Sequence, residues 1–488
     1  MNTTTSEKRT PLTSCLPLSL ALALCFACGC DSSSDDSGTD SDTDTDADVG
    51  ACGFPVGGAG GTAEVGADQP LEHDTHEDEA MNTMALDSDG QLAEGGPQAL
   101  AFGPCGDAGL VFWRSDGEPQ RVFVDPAGDA EPEVIGPAQE PYDAALFFDA
   151  DCTPVLIGLG AGSDLEELTR GESGWSAGAS IDLSDELDGS VESADVIDFH
   201  AAPDGSLHVF VHASLDGEPT LIRGDRDAAA GSTWSFTALS EPQHDELFVY
   251  RVDADGHTHA LLHNTDYPCD PCDVSLYHGE LTAPDAEWMV EVVHEGVWGP
   301  PHDELVESAD LAFDSAGNAY VAAHFTQRVV TGSYVYTELR LFGNAGGEWC
   351  DEPVTSANDG YAGADGETFT GALPRIGIDS DDRIHILYLD QAVWHESGMQ
   401  NEMHGQLRYA FRSGEDWTRE TLLAQQGQTQ SAEPLHGTRA HQLAISPSGE
   451  GVVAAGVAQS WETDSIYNDT ARPATHTLTS VHADVSAP

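Results

Sequence analysis

The strongest constraint on this chain is an internal repeat that recurs five times between residues 198 and 457. Each copy joins a short strand-like run, a tight turn rich in Asp and Gly, and a second apolar run. Alternation with a period of two, bounded by turn residues, predicts pairs of antiparallel strands rather than helices. The copies are DFHAAPDGSLHVFVH (198–212), YRVDADGHTHALLHN (250–264), LAFDSAGNAYVAAHF (311–325), IGIDSDDRIHILYLD (376–390) and LAISPSGEGVVAAGV (443–457).

A second half-unit follows most copies and carries a tryptophan at one repeated position. Segments 100–113 and 146–158 match the first half more loosely and raise the number of units to seven. We interpret the tryptophans as packing between neighbouring units, with a row of ligand-stacking rings as the alternative. They are Trp175, Trp234, Trp288, Trp349 and Trp417.

Each unit therefore predicts a four-stranded antiparallel sheet, which cannot cover both of its faces alone. Radial stacking of such sheets buries those faces, so the sequence predicts an all-β, seven-bladed β-propeller over residues 76–488. The last unit lacks its outer strand, while the segment 81–90 precedes the first unit without a partner. We expect 81–90 to complete blade 7 and close the ring, because closure pairs both free edges.

One part of the repeat also resembles a known class of protein. The runs DSDDRIHILYLD (379–390) and QLRYAFRSGEDWTRETLL (406–423) are similar to the degenerate repeats of secreted bacterial propellers of the broad sialidase-like class. The resemblance covers about 95–485. It implies the architecture but not the activity, because propellers host many functions. The chain departs from true sialidases, since it has neither their S-x-D-x-G-x-x-W box nor a convincing arginine triad.

The first thirty residues resemble a bacterial lipoprotein signal. Lys8 and Arg9 precede a short apolar run that ends in Ala-Cys-Gly-Cys. The resemblance implies cleavage after residue 29 and lipid on Cys30, with Cys28 as the alternative residue. It places the protein in the cell envelope, anchored to a membrane and facing the periplasm or the exterior. An ordinary signal peptide cut nearby is the other interpretation.

Residues 30–75 read as a linker between the lipidated cysteine and the propeller. Its segment 31–50 contains eight Asp and no residue larger than Val, so it cannot bury enough apolar area to fold. We expect a disordered acidic tether. The whole chain has a formal charge of −69. That charge excludes nucleic acid as a partner, because such binding requires basic patches.

Six cysteines remain after the leader, and an oxidising compartment predicts disulfides among them. Cys105 and Cys152 occupy the same turn of adjacent units, so we expect a bridge between them. For Cys269 and Cys272 we expect a local disulfide. The alternative is a tetrahedral zinc site in which these two cysteines join His263 and His278. Cys52 and Cys350 then remain as the last possible disulfide pair.

Two further sets of polar residues recur in the units. His208, His259 and His385 each follow the turn by three residues, and we expect rings that bond a neighbouring strand, with a histidine arc at one rim of the propeller that binds a metal or an anion as the alternative. The second set begins the innermost strands and would ring one mouth of the channel, where its four carboxylates suit Ca²⁺ or a cationic ligand. Ordinary solvated strand ends are the alternative. The second set is Asp143, Asp195, Glu246, Asp310, Arg375 and His441.

The functional hypothesis is a surface-exposed binding module for a glycan or a protein. Long inserts at 264–273, 325–337 and 391–405 would shape its site, and the last contains Trp394 and His395. An aromatic ring beside a polar group is what sugar sites often need. The alternatives are a polysaccharide hydrolase or lyase, which needs two suitably spaced carboxyl groups, and a structural surface lipoprotein. No Ser–His–Asp, Walker or dinucleotide fingerprint occurs in a supporting context.

Overall fold

The computed structural model of this protein is almost entirely β-sheet. Residues 1–47 and 48–488 form separate units, and all described residues belong to the second. The described residues contain one helix, α1 (Leu183–Glu186), and none that is long and apolar enough to cross a membrane. The structure describes residues 73–74, 97–103, 105, 107–114, 120–124, 133–137, 144–159, 164–171, 173–187, 189–201, 206–227, 233–242, 246–264, 272–298, 302–329, 335–355, 366–396, 400–413, 416–428, 441–445, 451–462 and 472–484.

Four consecutive stretches of the chain form four-stranded antiparallel sheets, labelled A to D. Sheet A contains β2 (Pro97–Phe102), β3 (Ala108–Arg114), β4 (Gln120–Val124) and β5 (Glu133–Pro137). Sheet B contains β6 (Ala144–Phe148), β7 (Pro154–Leu159), β8 (Asp164–Gly171) and β9 (Gly174–Asp182). Sheet C contains β10 (Val191–Ala201), β11 (Leu207–Leu215), β12 (Glu218–Arg226) and β13 (Ser235–Leu239). Sheet D contains β14 (Glu246–Val252), β15 (Thr258–His263), β17 (Leu276–Leu281) and β18 (Met289–His294). A small ribbon beside sheet D pairs β16 (Cys272–Asp273) with β19 (Val297–Trp298).

The following strands form one eight-stranded sheet that consists of two four-stranded halves. Sheet E contains β20 (His302–Phe313), β21 (Ala319–Val329), β22 (Val335–Gly343) and β23 (Cys350–Pro353). Sheet F contains β24 (Gly366–Ile378), β25 (Ile384–Glu396), β26 (Gln400–Ser413) and β27 (Asp416–Gln428). A single parallel pair, Tyr336 with Thr368, connects the two halves.

The last sheet, G, combines both ends of the described chain. It contains β28 (His441–Ile445), β29 (Gly451–Glu462), β30 (Arg472–Asp484) and β1 (His73–Asp74). In its register, His73 lies opposite Ala483 and Asp74 opposite His482. The segment 81–90, expected at this edge, lies outside the described residues. The prediction of an all-β chain built from four-stranded antiparallel sheets is confirmed.

The first strands of the sheets contact one another in a closed order. Strand β2 contacts β6, β6 contacts β10, and the series continues through β14, β20 and β24 to β28, which contacts β2. Each sheet thus meets the next one along the chain at its first strand, and the last sheet meets the first.

The hydrophobic core lies between successive sheets rather than in one central mass. Phe147 and Ile157 of sheet B pack with Val209 and Val211 of sheet C. Comparable clusters fill the spaces from A to B, C to D, D to E, E to F and F to G. Strands buried on both faces in this way explain the nearly continuous apolar runs of the second strands.

The repeated tryptophans pack on the preceding sheet, as the sequence predicted. Trp175 meets Phe123 edge to face, with ring centroids 5.4 Å apart. The indole N–H of Trp234 donates to a carboxylate oxygen of Glu167 at 3.2 Å. Trp417 donates in the same way to Glu352 at 2.8 Å. Trp288 donates to the backbone carbonyl of Ser240, just after the last strand of sheet C, at 2.8 Å, and Trp349 contacts His278 of sheet D.

Candidate functional site

One five-residue turn connects the first and second strands of four sheets. In each, an Asp carboxylate oxygen accepts the backbone N–H groups of the residues two and four positions later, at 2.8 to 3.0 Å. The residue three positions later has a positive φ of 59° to 83°: it is Cys152, Gly256, Gly317 or Asp382. These turns begin at Asp149, Asp253, Asp314 and Asp379. The side-chain contacts explain why Asp recurs there, since it satisfies turn N–H groups locally.

In three of these turns, the second carboxylate oxygen of the Asp contacts a side chain of the strand that follows. In sheet E, Asp314 Oδ2 accepts the hydroxyl of Tyr320 at 3.0 Å. In sheet F, Asp379 Oδ2 accepts the Nε2–H of His385 at 3.0 Å. Burial would raise the pKa of Asp379, but hydrogen bonds from His385 and Arg383 outweigh it and hold this pKa below its usual value.

Sheet D places histidines around its turn Asp instead. His259 Nε2 lies 3.2 Å and His257 Nδ1 3.5 Å from Asp253 Oδ2. His257 Nδ1 also lies 3.0 Å from a carboxylate oxygen of Glu280. Asp253, His257 and His259 offer three metal-ligand atoms within 4.8 Å of one another, the one such group among the described residues. The sequence predicts a structural role for His259, with a metal- or anion-binding histidine arc as the alternative, and does not single out Asp253 or His257.

A buried ion triad connects the first strands of sheets C, D and E. Arg251 donates to Asp198 and to Asp310, both at 2.6 Å. Burial alone would lower the pKa of Arg251, but the two carboxylates raise it above its ordinary value. Asp310 also accepts the backbone N–H of Ile376 in sheet F at 3.1 Å. Its oxygens are therefore engaged by protein donors from two neighbouring sheets.

Of the other residues of the predicted ring, Glu246 and His441 begin first strands, whereas Asp195 and Arg375 lie inside β10 and β24 rather than at their starts. His441 begins β28, is buried, and donates Nε2–H to the carbonyl of Leu373 at 2.6 Å. Burial, and then the charge of Arg375, lower the pKa of His441 to about 3. Asp195 lies opposite His212 and Glu246 opposite His263, while Asp143 lies outside the described residues. The calcium-binding ring stays a prediction.

Sequence reasoning missed the partners that Asp310 has in the structure. Asp198 stands seven residues before the turn Gly205, and Asp310 seven before Gly317, so they occupy one repeat position. In the unit that contains Asp198, the sequence predicts Asp195 instead, because Asp195 stands at the expected start of the strand. Counting from the turn glycine would have found Asp198. No repeat signal marks Arg251, which binds both.

Sheets E, F and G extend further than the others at one end. Their second strands β21, β25 and β29 have 11, 13 and 12 residues. Those of sheets A to D, β3, β7, β11 and β15, have 7, 6, 9 and 6. The extra length leads into the third strand, so each of the three sheets carries a long hairpin. The inserts predicted at 325–337 and 391–405 are thus mostly strand rather than loop.

The extended hairpins of sheets E and F contact each other. Thr370 of β24 donates its backbone N–H to Thr337 Oγ1 of β22 at 2.5 Å, and both residues are buried. Gly371 follows with φ of +85°, and a Cβ there would lie 2.4 Å from Leu339 Cβ. Strand β27 of sheet F also contacts β29 of sheet G. We name the extended parts of these three sheets the long-hairpin face.

Each extended hairpin carries an aromatic residue in its extended part. Tyr336 lies opposite Gln327, Trp394 opposite Glu402, and Trp461 opposite Pro473. His395 follows Trp394 and lies opposite Asn401, one pair from the end of the β25–β26 ladder. The predicted binding residues Trp394 and His395 thus lie in strand β25, at the hairpin end.

The residues of the predicted zinc set are only partly described. His278 uses both ring nitrogens, with Nε2 3.0 Å from His259 Nδ1 and Nδ1 3.0 Å from Glu291. His263 is buried and stacks on Phe248. Cys269 lies outside the described residues, as does the side chain of Cys272.

The cysteines that the structure describes form disulfides. Cys105 is joined to Cys152, with Cα atoms 6.0 Å apart, as expected from their equivalent turns in adjacent units. Cys350 is also disulfide-bonded. Its expected partner Cys52 lies outside the described residues, as do Cys28 and Cys30.

Comparison with known proteins gives only distant likenesses. No protein-family model and no curated protein sequence matches the chain. Among solved structures, the Aleuria aurantia lectin AAL bound to Fucα1-6GlcNAc is 13% identical, with a TM-score of 0.35, over 68% of this chain and 96% of the lectin. AofleA from Arthrobotrys oligospora is 12% identical, with a TM-score of 0.36, over 69% of this chain and 88% of that one. The α-L-arabinofuranosidase Arb93A of Fusarium graminearum is 9% identical, with a TM-score of 0.37, over 70% and 92%. TM-scores of this size establish neither a shared fold nor a shared function.

Proposed function

We propose that this protein is a seven-bladed β-propeller, lipid-anchored at the cell envelope through Cys30 or Cys28, that binds a neutral glycan through its long-hairpin face. In this proposal sheets A to G are the blades, and the tether spans residues 30–72, because β1 begins at His73, inside the linker predicted to extend to residue 75. The closed order of contacts among the first strands supports the ring, because β28 returns to β2. The pairing of β1 with β30 supports closure of blade 7 by the N-terminal side of the chain.

The observation that carries the binding function is the long-hairpin face itself. Three consecutive sheets extend their second strands to 11 to 13 residues, and each extension carries an aromatic residue. A rigid sheet presents such residues at low cost in conformational entropy, and aromatic rings give large apolar contact area. A glycan without acidic groups suits a chain of charge −69, since anions would be repelled.

The proposal predicts that the β25–β26 hairpin is needed for binding but not for folding. Replacing residues 394–402 by Asn-Gly would join Val393 to Met403, which already lie opposite each other, through a two-residue turn. We expect glycan-array signals of the intact protein to disappear in this variant. Trp394→Ala alone should weaken binding about tenfold, the order expected for one aromatic contact. The unfolding transition of each variant checks that the fold survives.

An exposed apolar strand provides the matched control. Met289 of β18 is 55% exposed and lies in sheet D, away from the long-hairpin face. Met289→Ser should leave glycan binding unchanged. Equal binding by the shortened and intact proteins would contradict the proposal. So would an array with no bound glycan together with capture of a protein partner, because the ligand class would then be wrong.

A further inference from the structure

The turn of sheet D brings three side chains of metal-binding type close together, with Glu280 beside one of them. Asp253, His257 and His259 come from the turn and the start of β15, and Glu280 lies opposite His259 on β17. His259 is 5% exposed and the Asp253 side chain 10%, whereas the side chains of His257 and Glu280 are 31% and 30% exposed. The group therefore has a buried inner half and an outer half open to solvent.

A chain of side chains that begins in the buried half has more hydrogen-bonding contacts than it has N–H protons to fill them. Asp253, His259, His278 and Glu291 form a chain with three contacts, at 3.2, 3.0 and 3.0 Å. Two neutral imidazoles supply only two protons. If His259 donates from Nδ1 to His278, and His278 donates to Glu291, the Nε2 lone pair of His259 faces the Asp253 carboxylate. Two acceptors in contact repel each other unless a cation lies between them.

The geometry of that third contact agrees with this count. His259 Nε2 is buried and forms no hydrogen bond of good geometry among the described residues, although Asp253 Oδ2 is 3.2 Å away. A metal ion supplies the positive charge without requiring a buried imidazolium.

The equivalent turn of sheet F is balanced without a metal ion. Tyr409 donates its hydroxyl to His385 Nδ1 at 2.6 Å, and His385 donates Nε2–H to Asp379 at 3.0 Å. Two contacts are thus served by two protons. Arg383 stands where sheet D has His257, so its positive charge already neutralises the carboxylate. The sheet D turn differs because it replaces both of these donors with imidazoles.

We propose that Asp253 Oδ2, His257 Nδ1 and His259 Nε2 bind one Zn²⁺ or similar transition-metal ion, and that Glu280, which lies beside His257, completes the tetrahedron by rotation of its partly exposed side chain. Zinc bonds of about 2.0–2.1 Å in a tetrahedron place ligand atoms roughly 3.3 Å apart. Asp253 Oδ2 lies 3.2 Å from His259 Nε2 and 3.5 Å from His257 Nδ1, close to that value. Two imidazoles select a transition metal over Ca²⁺, which prefers six to eight oxygens.

Behind the site, His278 and Glu291 supply the hydrogen-bond partners that a metal-bound histidine needs. His259 directs its Nδ1 to His278, which in turn contacts Glu291. Such an outer relay fixes the tautomer and orientation of the ligand ring. The site lies at the turn end of β15, whereas the hairpin to the third strand lies at the other end. The ion would clamp the turn to β17 independently of any binding on the long-hairpin face.

The test is zinc titration of the full-length protein after removal of metal with a chelator. We expect one Zn²⁺ per chain by calorimetry and a melting temperature that rises with zinc concentration. His257→Asn, which changes a partly exposed ring, should weaken zinc binding at least tenfold, and Glu280→Gln should weaken it less. Asp255→Asn is the matched control, because this exposed residue belongs to the same turn but not to the ligand set.

Cobalt distinguishes this site from one built on cysteines. Co²⁺ bound by two nitrogens and two oxygens should show tetrahedral visible bands without a thiolate charge-transfer band. Cys272→Ser should leave the spectrum unchanged. Zinc binding that survives His257→Asn at full strength would overturn the proposal, as would loss of binding in Cys272→Ser or no binding at micromolar zinc.

Discussion

At the scale of single residues, buried histidines make the free energy of unfolding of this protein depend on pH. His324 and His441 are almost completely buried. Burial lowers the pKa of His324 to about 4 and, with the charge of Arg375, that of His441 to about 3. Both rings are therefore neutral in the folded protein at pH values where histidines of the unfolded chain, with a pKa near 6.5, already bind a proton.

The sign of the effect follows from this difference. Above pH 6.5 neither state is protonated at His441, so stability is unaffected by its titration. As the pH falls from 6.5 toward 3, only the unfolded state takes up the proton and is stabilised. We expect His441 to contribute a loss of about 2 kcal/mol in unfolding free energy between pH 7.5 and pH 5.

His441→Gln tests this contribution. Glutamine keeps an N–H donor for the Leu373 carbonyl but does not titrate. We expect the variant to lose about 2 kcal/mol less than the natural protein over the same pH interval, measured by denaturant unfolding. Parallel pH profiles of the two proteins would show that the ring is not the titrating group.

At the scale of elements, the contact between sheets E and F depends on a backbone conformation. Strand β24 has two register shifts, between Phe369 and Arg375, and Gly371 lies within them at φ +85°. The irregular backbone brings β24 against β22, where a Cβ on residue 371 would lie 2.4 Å from Leu339 Cβ and 3.0 Å from its backbone. A bulge of this kind redirects a strand where two sheets meet.

Gly371→Ala should therefore be much more harmful than the same change at Gly317. Gly317 has φ of +82° but open space around a Cβ, so alanine there meets only the left-handed conformation, at about 1–2 kcal/mol. At Gly371 the clash adds a further 1–3 kcal/mol or so. Denaturant unfolding of both variants measures the difference. Equal losses would mean that the close approach of β22 and β24 relaxes at no cost.

At the scale of the whole molecule, both ends of the described chain meet in sheet G. Strand β1 contributes two residue pairs to the edge of β30. An edge strand without a partner offers free backbone groups to other chains. The N-terminal pairing thus protects an edge as well as adding stability.

Two truncations isolate this role. A chain that begins at residue 71 keeps β1, one that begins at 76 lacks it, and both lack Cys52, so Cys350 is affected equally. We expect the shorter chain to lose about 1–2 kcal/mol in unfolding free energy and to self-associate more at high concentration. Unfolding and sedimentation measurements report the two effects. Identical behaviour of the truncations would show that β1 does not protect the edge.

Local pattern determined the elements of this protein, because alternation and turn chemistry depend on neighbours along the chain. The all-β class, the four-stranded sheets, the tryptophan packing and the Cys105–Cys152 pair all follow from repeat position. Only the tertiary structure decided which residues meet across strands and sheets. Arg251 between Asp198 and Asp310, and the meeting of His257 with Glu280, join residues far apart in sequence. No periodicity records such contacts, since each depends on strand register and on the distance between packed sheets.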